Sequence, residues 1–533
     1  MLNLRDESGL SNFYAPVRAR APTARRGGAV VVAALSLLVF AASVASPQPL
    51  PPKADPTAPG GPGGDLLKPA SEQPPRRGGD GRSRDPRQAI FHTNVPDHPL
   101  DVILARPEKN SITVSLLAYE DADIQVAYGT RPDDCSLKSQ VVRLTKGEPN
   151  HLLIPNLTED THYFYQVLYG RPGGQLEPRL PREFHTARPK GQSFRFTVQA
   201  DSHLDGATVP EVYAQTLANI AADRPDFHID LGDTFMNDKY MTYRDAQRQY
   251  IAQRYYFGLA CQSVPLFLVL GNHDGEAGWR QGRDNEGMAA WSNATRKRYF
   301  ANPFPDAFYT GNRSSVDPTG RLEDYYAWEW GDALFVVLDP FAYTTDKPRS
   351  DADGWNWTLG REQYDWLRST LEKSDARFKF VFLHHLVGGG GRDARGGVEA
   401  APFFEWGGTS LDGKREFADK RPGWPAPIHQ LLVKANVSAV FHGHDHLYAR
   451  QALDGITYME VPQPSHPAGH DVAKMASEYG YQAGKILGSP GHVRVTVGPG
   501  SGTIEFVHTG VASEDVSNRQ VQDTFAIVPQ KQQ

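Results

Sequence analysis

The sequence predicts an α/β domain preceded by a small all-β sandwich, and three observations carry that prediction. Residues from about 89 to 188 alternate apolar and polar positions; beyond Arg188, short unbroken apolar runs alternate with longer helical stretches; and nearly every run in the second part ends in a group able to bind metal. At 533 residues and 39% hydrophobic content, the chain has room for more than one folded domain. The formal charge of -6 is mild and spread out. With no basic stripe interleaved with aromatics, nucleic-acid binding is excluded as the main activity.

The first 28 residues carry Arg5, Arg18, Arg20, Arg25 and Arg26 against Asp6 and Glu7, and the uncharged run AVVVAALSLLVFAASVA (Ala29 to Ala45) follows. Residues 1–45 therefore read as an export segment. It is either a signal peptide cut near Ser43-Val44-Ala45 or an uncleaved signal anchor, because the apolar run falls short of the about 20 residues a bilayer span needs. Residues 46–88, dense in Pro, Gly and charge, read as a disordered linker. The expected location is periplasmic, cell-surface or secreted, with a membrane tether if residues 1–45 stay attached. Cys135 and Cys261 are too few for a disulfide scaffold or a Cys-based zinc cluster, and leave one bridge or two buried thiols.

Residues 89–188 contain SITVSLLAY, IQVAYGT, HLLIPNL and YFYQVLYG, separated by turn-rich RPDD and YGRPGG, which is the pattern of a β-sandwich. The string LTEDTHYFYQV, with Tyr163 after a turn, resembles the tyrosine corner of a fibronectin type III domain. Residues 193–510 form the α/β domain, with the runs FRFTVQAD, DFHIDLGD, PLFLVLGNHD, ALFVVLD, FKFVFLHH and VSAVFHGHDH as buried strands. Stretches such as VPEVYAQTLANIAAD and GREQYDWLRSTLEKS are the covering helices. No internal repeat is present, and residues 511–533 read as a flexible tail.

The strand ends offer Asp201, His203, Asp233, Asn272, His273, His384, His385, His442, His444 and His446. In an α/β sheet the C-terminal strand ends form one rim where ligands bind, and residues two apart on extended chain face the same way. Asp201 with His203, and His444 with His446, are thus natural chelating pairs. Singly, each piece has a bland explanation, such as a turn at Gly232-Asp233 or a helix cap at Asn272. Five such pieces in order, each on a strand end, point to one site.

DSH (201–203), GD (232–233), GNHD (271–274), VFLH ending at His384, and GHDH (443–446) resemble the five ordered motifs of the calcineurin-like metallophosphoesterases. The resemblance implies the αββα sandwich of that family. HGHDHLYAR is further similar to a segment of purple acid phosphatases, which also place a fibronectin-like sandwich before the catalytic domain. The chain departs from those enzymes at His203, where they have Gly, and at Met236, where they have Tyr.

What the resemblance implies is a centre of two divalent or trivalent metal ions, the first held by Asp201, His203 and His446, the second by Asn272, His384 and His444, with Asp233 bridging. Such a mixed N/O set suits Mn, Fe or Zn rather than Mg or Ca. Two cations a few Å apart stabilise the attacking and leaving oxygens of phosphate ester hydrolysis, with a metal-bridging hydroxide as nucleophile. His273 then stabilises charge or protonates the leaving oxygen, and Asp274 orients it. His385 is a further candidate beside His384, although Leu386 stands where the family pattern has Pro. Arg392 and Arg395 in GGGGRDARGG (388–397), and Arg450, are candidate phosphate contacts or supports, and His442 supports its strand end.

The predicted function is an exported binuclear phosphoesterase acting on phosphomonoesters or small phosphodiesters. A nucleotide or phospholipid-headgroup phosphodiesterase is the alternative enzyme. A non-catalytic surface binding protein is the alternative of another class, and the complete ligand set argues against it.

Overall fold

The computed structural model describes residues 91–281, 287–316, 319–467, 471–510 and 517–529. The export segment and the linker expected over 1–88 lie outside these residues. Among the described residues, no helix is long and apolar enough to cross a membrane.

The β-sandwich is built from β1 (Leu100–Ala105), β2 (Ile112–Ala118), β3 (Ala122–Gly129), β4 (Asn150–Ile154), β5 (His162–Gly170) and β6 (Arg182–His185). β1, β2 and β4 form one layer and β3, β5 and β6 belong to the other. The layers close over Leu104, Val114, Leu116, Ile124, Val126, Tyr165 and Phe184. The Tyr163 hydroxyl accepts a hydrogen bond from the Thr158 N–H at 3.0 Å, the backward contact of a tyrosine corner.

The α/β part runs through β7 (Phe194–Gln199), α1 (Pro210–Asp223), β8 (Phe227–Asp230), α2 (Tyr243–Cys261), β9 (Leu266–Leu268), α3 (Met288–Tyr299), β10 (Tyr326–Trp330), β11 (Ala333–Val337), α4 (Gly360–Lys373), β12 (Phe378–Phe382), α5 (Ile428–Lys434), β13 (Ala439–His442), β14 (Tyr448–Leu453), β15 (Ile456–Glu460), β16 (Gly491–Val497), β17 (Gly502–His508) and β18 (Val521–Ile527). β7, β8 and β9 are parallel, and β16, β17 and β18 extend them antiparallel on one side. In the facing sheet, β11, β12, β13 and β15 are parallel, with β10 and β14 antiparallel at the flanks. β18 corrects the expected tail: VQDTFAI pairs antiparallel with β17 and completes the edge of the sheet.

One layer of the sandwich is also part of the first sheet. β1 pairs in parallel with β9 through Ala105 and Leu266, giving a nine-stranded sheet. Arg254 of α2, fully buried, reinforces the join by donating to the Ser115 hydroxyl at 2.8 Å.

Between the two large sheets lies an aromatic core. Phe196 and Phe227 meet the Phe335 ring at 5.1 Å each, both edge-to-face, and Phe267 stacks on Trp328 at 4.2 Å. α4 and α5 cover the outer face of the second sheet with Leu367, Leu371, Ile428 and Leu432 against Val336, Val381 and Val440. The outer face of the first sheet, under α1 and α2, is unusually polar. Gln199, His228 and Asp230 are fully buried there alongside Gln249 and Gln253 of α2. Cys135 and Cys261 are both free, and Cys135 is only half-buried.

Candidate metal centre

The parallel strands deliver their ends to one rim. Asp201 follows β7, Asp233 follows β8, Asn272 and His273 follow β9, His384 follows β12, and His444 and His446 follow β13. Turning these ends inward takes backbone conformations that side chains disfavour. Asp201, His203, Asp233, His444 and His446 have φ of 58°, 45°, 53°, 83° and 62°. Each such residue costs of order 1–3 kcal/mol, a pattern characteristic of functional sites. The motif glycines make room: a Cβ on Gly232 (φ +97°) would lie 2.4 Å from the Gly271 nitrogen, and one on Gly443 2.7 Å from Asp201 Oδ2.

Among the described residues the donor groups are Asp201 with His203 and His446, Asp233 with His384 and His444, and a third in which Asp205 and His466 share His203. In the first, Asp201 Oδ1 lies 3.4 Å from Nε2 of both His203 and His446. In the second, His384 Nε2 lies 3.3 Å from Asp233 Oδ2, 3.0 Å from Asn272 Oδ1 and 3.2 Å from His444 Nδ1. Asp233 Oδ2 is also 3.8 Å from His203 Nε2, so this carboxylate stands between the groups.

Hydrogen bonding fixes which ring nitrogen faces inward. A carbonyl only accepts, so His384 Nδ1 donates to Leu231 O at 2.9 Å and His444 Nε2 donates to Asp393 O at 2.6 Å. That leaves His384 Nε2, His444 Nδ1, Asn272 Oδ1 and Asp233 Oδ2 as acceptors crowded together. Asp201 Oδ1 and His203 Nε2 are buried with no hydrogen-bond partner among the described residues. Orphaned buried acceptors are costly unless a cation meets them. Burial disfavours charge on His384, yet Asp233 and Asp201 outweigh it and push the imidazole up to about 9. Burial likewise opposes charge on His203, but the neighbouring carboxylates of Asp201, Asp205 and Asp233 outweigh it and push it up to about 10. Burial lifts Asp201 and Asp233, but the neighbouring histidines hold both well below the usual carboxylate range. The site attracts positive charge, and its donor set fits a divalent metal.

His273 stands beside these groups with 24% of its side chain exposed. Its N–H donates to Asp233 Oδ1 at 2.7 Å, and its ring Nε2 lies 4.0 Å from Asp233 Oδ2. Asp274 does not orient it. That carboxylate instead accepts the backbone N–H groups of Gly271, Asp233, Thr234 and Phe235, lashing the second and third motifs together. The residue facing His273 Nδ1 is Asp238, at 2.9 and 3.1 Å, which Arg280 also grips at 2.9 Å.

The other candidates find different surroundings. His385 packs edge-on against Trp357 and Phe341, with ring centroids 4.6 and 5.0 Å away, and burial pulls it down to about 3. His442 is buried at the end of β13 with Nδ1 2.6 Å from Glu460 Oε2. The three arginines that were candidates for phosphate contact or support each have a partner: Arg392 pairs with Asp393, Arg450 with Asp523 of β18, and Arg395 with the His444 carbonyl and Asp445. The glycine-rich loop 388–397 thus serves His444, through Asp393 O and Arg395.

Sequence reasoning missed Asp205, Asp238 and His466. Asp205 lies 3.3 Å from His203 Nδ1 and 3.2 Å from His466 Nε2. A signal existed for each: Asp205 is two residues beyond His203, Asp238 follows Asp233 in GDTFMND, and His466 lies just past β15, another parallel strand end.

The fold and site define an αββα hydrolase with a metal-binding rim. The sequence model of the Calcineurin-like phosphoesterase family matches residues 194–448. No curated protein matches the chain. Among solved structures, PhoD is similar at a TM-score of 0.56 and 15% identity, over 80% of this chain and 90% of that one. The purple acid phosphatase PPD1 from yellow lupin (Lupinus luteus) seeds follows at 0.52 and 15%, over 80% and 74%. The chain contains a calcineurin-like phosphoesterase domain and is a phosphoric ester hydrolase of the metallophosphoesterase type.

Proposed function

We propose that the chain is an exported phosphoesterase using two ions of Mn, Fe or Zn to hydrolyse phosphomonoesters or small phosphodiesters. Asp201, His203 and His446 would hold one ion and Asn272, His384 and His444 the other, with the Asp233 carboxylate within reach of both groups. The observation that carries this reading is the meeting of the two donor groups around orphaned acceptors, Asp201 Oδ1 and His203 Nε2. Ions bound there supply Lewis-acid polarisation of the ester and activation of water.

The rest falls to this chain's residues. Asp238, accepting from His273 Nδ1, fixes the ring so that Nε2 faces the centre. His273 holds a proton at Nε2 and passes it to the leaving oxygen. Export rests on the arginine-flanked apolar run at 29–45.

The test is to measure bound metals in the purified protein and compare hydrolysis of a nitrophenyl phosphate with its bis ester. Metal-dependent cleavage of either, abolished in Asp233→Asn, is expected, and the preferred ester assigns the substrate class. If neither ester is cleaved with Mn, Fe or Zn supplied, the enzymatic reading fails.

A further inference from the structure

The loops of the first and second motifs are strained at several positions, with φ of 58° at Asp201, 45° at His203, 56° at Leu204 and 53° at Asp233. Such a conformation persists only when its surroundings over-determine it. Its surroundings here are specific. Gln249, fully buried on α2, uses its side-chain amide to donate to the His203 carbonyl at 2.6 Å and to the Thr234 carbonyl at 2.7 Å. One amide therefore spans the first and second motifs. Its Oε1 accepts from the Tyr240 hydroxyl at 2.6 Å, which settles how the amide is turned. Gln253, one helical turn on, repeats the contact, donating to Ser202 Oγ at 2.9 Å and to Thr234 O at 3.0 Å.

The brace continues into residues ahead of the sandwich. The Tyr240 ring stacks on Phe91 at 4.3 Å between centroids and 25° between planes. His92, the next residue, donates its backbone N–H to the Leu204 carbonyl at 2.7 Å, and Val95 packs against the apolar cluster of α2. The segment before β1 thus touches the first-motif loop directly and the second through Tyr240 and Gln249.

We propose that Gln249, Tyr240 and the segment Phe91–His92 form a positioning brace that holds the Asp201–Leu204 and Asp233–Thr234 loops in their ligand-presenting conformation. The segment ahead of the sandwich then belongs to the catalytic unit. This inference rests on the metal-dependent reading above for its consequence, but not for its geometry. None of the brace residues is a catalytic residue, and none touches the ester.

The test uses the full-length protein carrying Gln249→Glu, Phe91→Ala or Phe91→Tyr. A carboxylate at 249 has no N–H to offer the two carbonyls, Phe91→Ala removes the stack, and Phe91→Tyr keeps it. Amide hydrogen exchange is followed in metal-free protein for peptides covering 201–205 and 233–236, with the core strand 378–382 as internal reference, and metal affinity is measured by chelator competition. Gln249→Glu and Phe91→Ala are expected to speed exchange in the two loop peptides but not in the core strand. They should also weaken metal binding by about 10–100-fold, while Phe91→Tyr behaves as the parent. Unchanged loop exchange in both disruptive variants overturns the brace, as does acceleration that is equal in the core strand. If the parent binds no metal, the metal reading fails, and the exchange pattern alone still decides the brace.

Discussion

The interior between the two large sheets and the rim at their ends are made from the same strands, yet they obey opposite rules. Phe196, Phe227, Phe335 and Phe382 are fully buried, apolar and packed ring on ring. A few residues further along those chain segments, Asp201, Asp233 and His384 are just as buried, but polar, and the two aspartates have left-handed backbone. The comparison teaches how the fold accommodates its site: the strained, polar rim is carried on strands whose neighbouring residues are locked in a close-packed aromatic interior. Stability and chemistry are divided by position along a strand, not by domain.

Substitutions that act on one half only test this division. The largest effect is expected for His273→Ala, which should lower kcat by about 10²–10⁴-fold while metal content and melting temperature stay with the parent; loss of metal instead would make His273 a structural residue. Phe335→Ala should cost about 3–5 kcal/mol of stability, read by denaturant titration, with bound-metal stoichiometry unchanged below the transition. A drop in stoichiometry there would mean that interior and rim are not separable. Asp205→Asn, weakening the carboxylate that holds His203 Nδ1 at 3.3 Å, should reduce metal affinity by about 10–100-fold with little change in kcat at saturating metal.

The smallest expected effect concerns the polar underside of the first sheet. His228 is fully buried, bonded to Thr197 through Nδ1 at 2.9 Å, with Nε2 unpartnered among the described residues. Burial, aided by the nearby His492, pulls its pKa from the ordinary 6.5 down to about 3. The unfolded chain binds this proton more readily, so the stability from neutral His228 is complete above pH 6.5 and is lost as pH falls from 6.5 toward 3. His492 is pulled down by burial too, and Asp223 is held low by His492 and Arg494 against its own burial, so both add to the acid sensitivity. His228→Leu should flatten the fall in melting temperature between pH 6.5 and 4.5 in metal-free protein; an unaltered slope would assign the sensitivity to the Asp223–His492 pair.

How much of this was legible beforehand depended on whether a residue's role follows from its place in the chain. The strands, their parallel order and the gathering of Asp201, Asp233, Asn272, His384 and His444 at one rim follow from apolar runs ending in polar groups, because a parallel sheet sends all its C-terminal ends the same way. The partner of His273 did not follow. Asp238 and Asp274 are both near His273 in space, and only side-chain direction separates the carboxylate that meets the imidazole from the one that ties backbone N–H groups. For Arg395 and Arg450 the sequence left phosphate contact and support open, and only side-chain direction shows Arg395 on the His444 carbonyl and Asp445 and Arg450 on Asp523. The union of sandwich and first sheet depends on one parallel register, Ala105 against Leu266, to which no local pattern points. Gln249 and Gln253 run against helical amphipathicity, because their buried amides serve loops distant in sequence.

The bond from His444 Nε2 to the Asp393 carbonyl makes the glycine-rich loop legible to spectroscopy. With the loop in place, the ring hydrogen is committed to Nε2 and Nδ1 keeps its lone pair toward His384 and Asp233. In metal-free protein, a loop lifted away would free the ring to exchange tautomers. The nitrogen chemical shifts of this single imidazole therefore act as a gauge of loop closure, readable without substrate and without turnover.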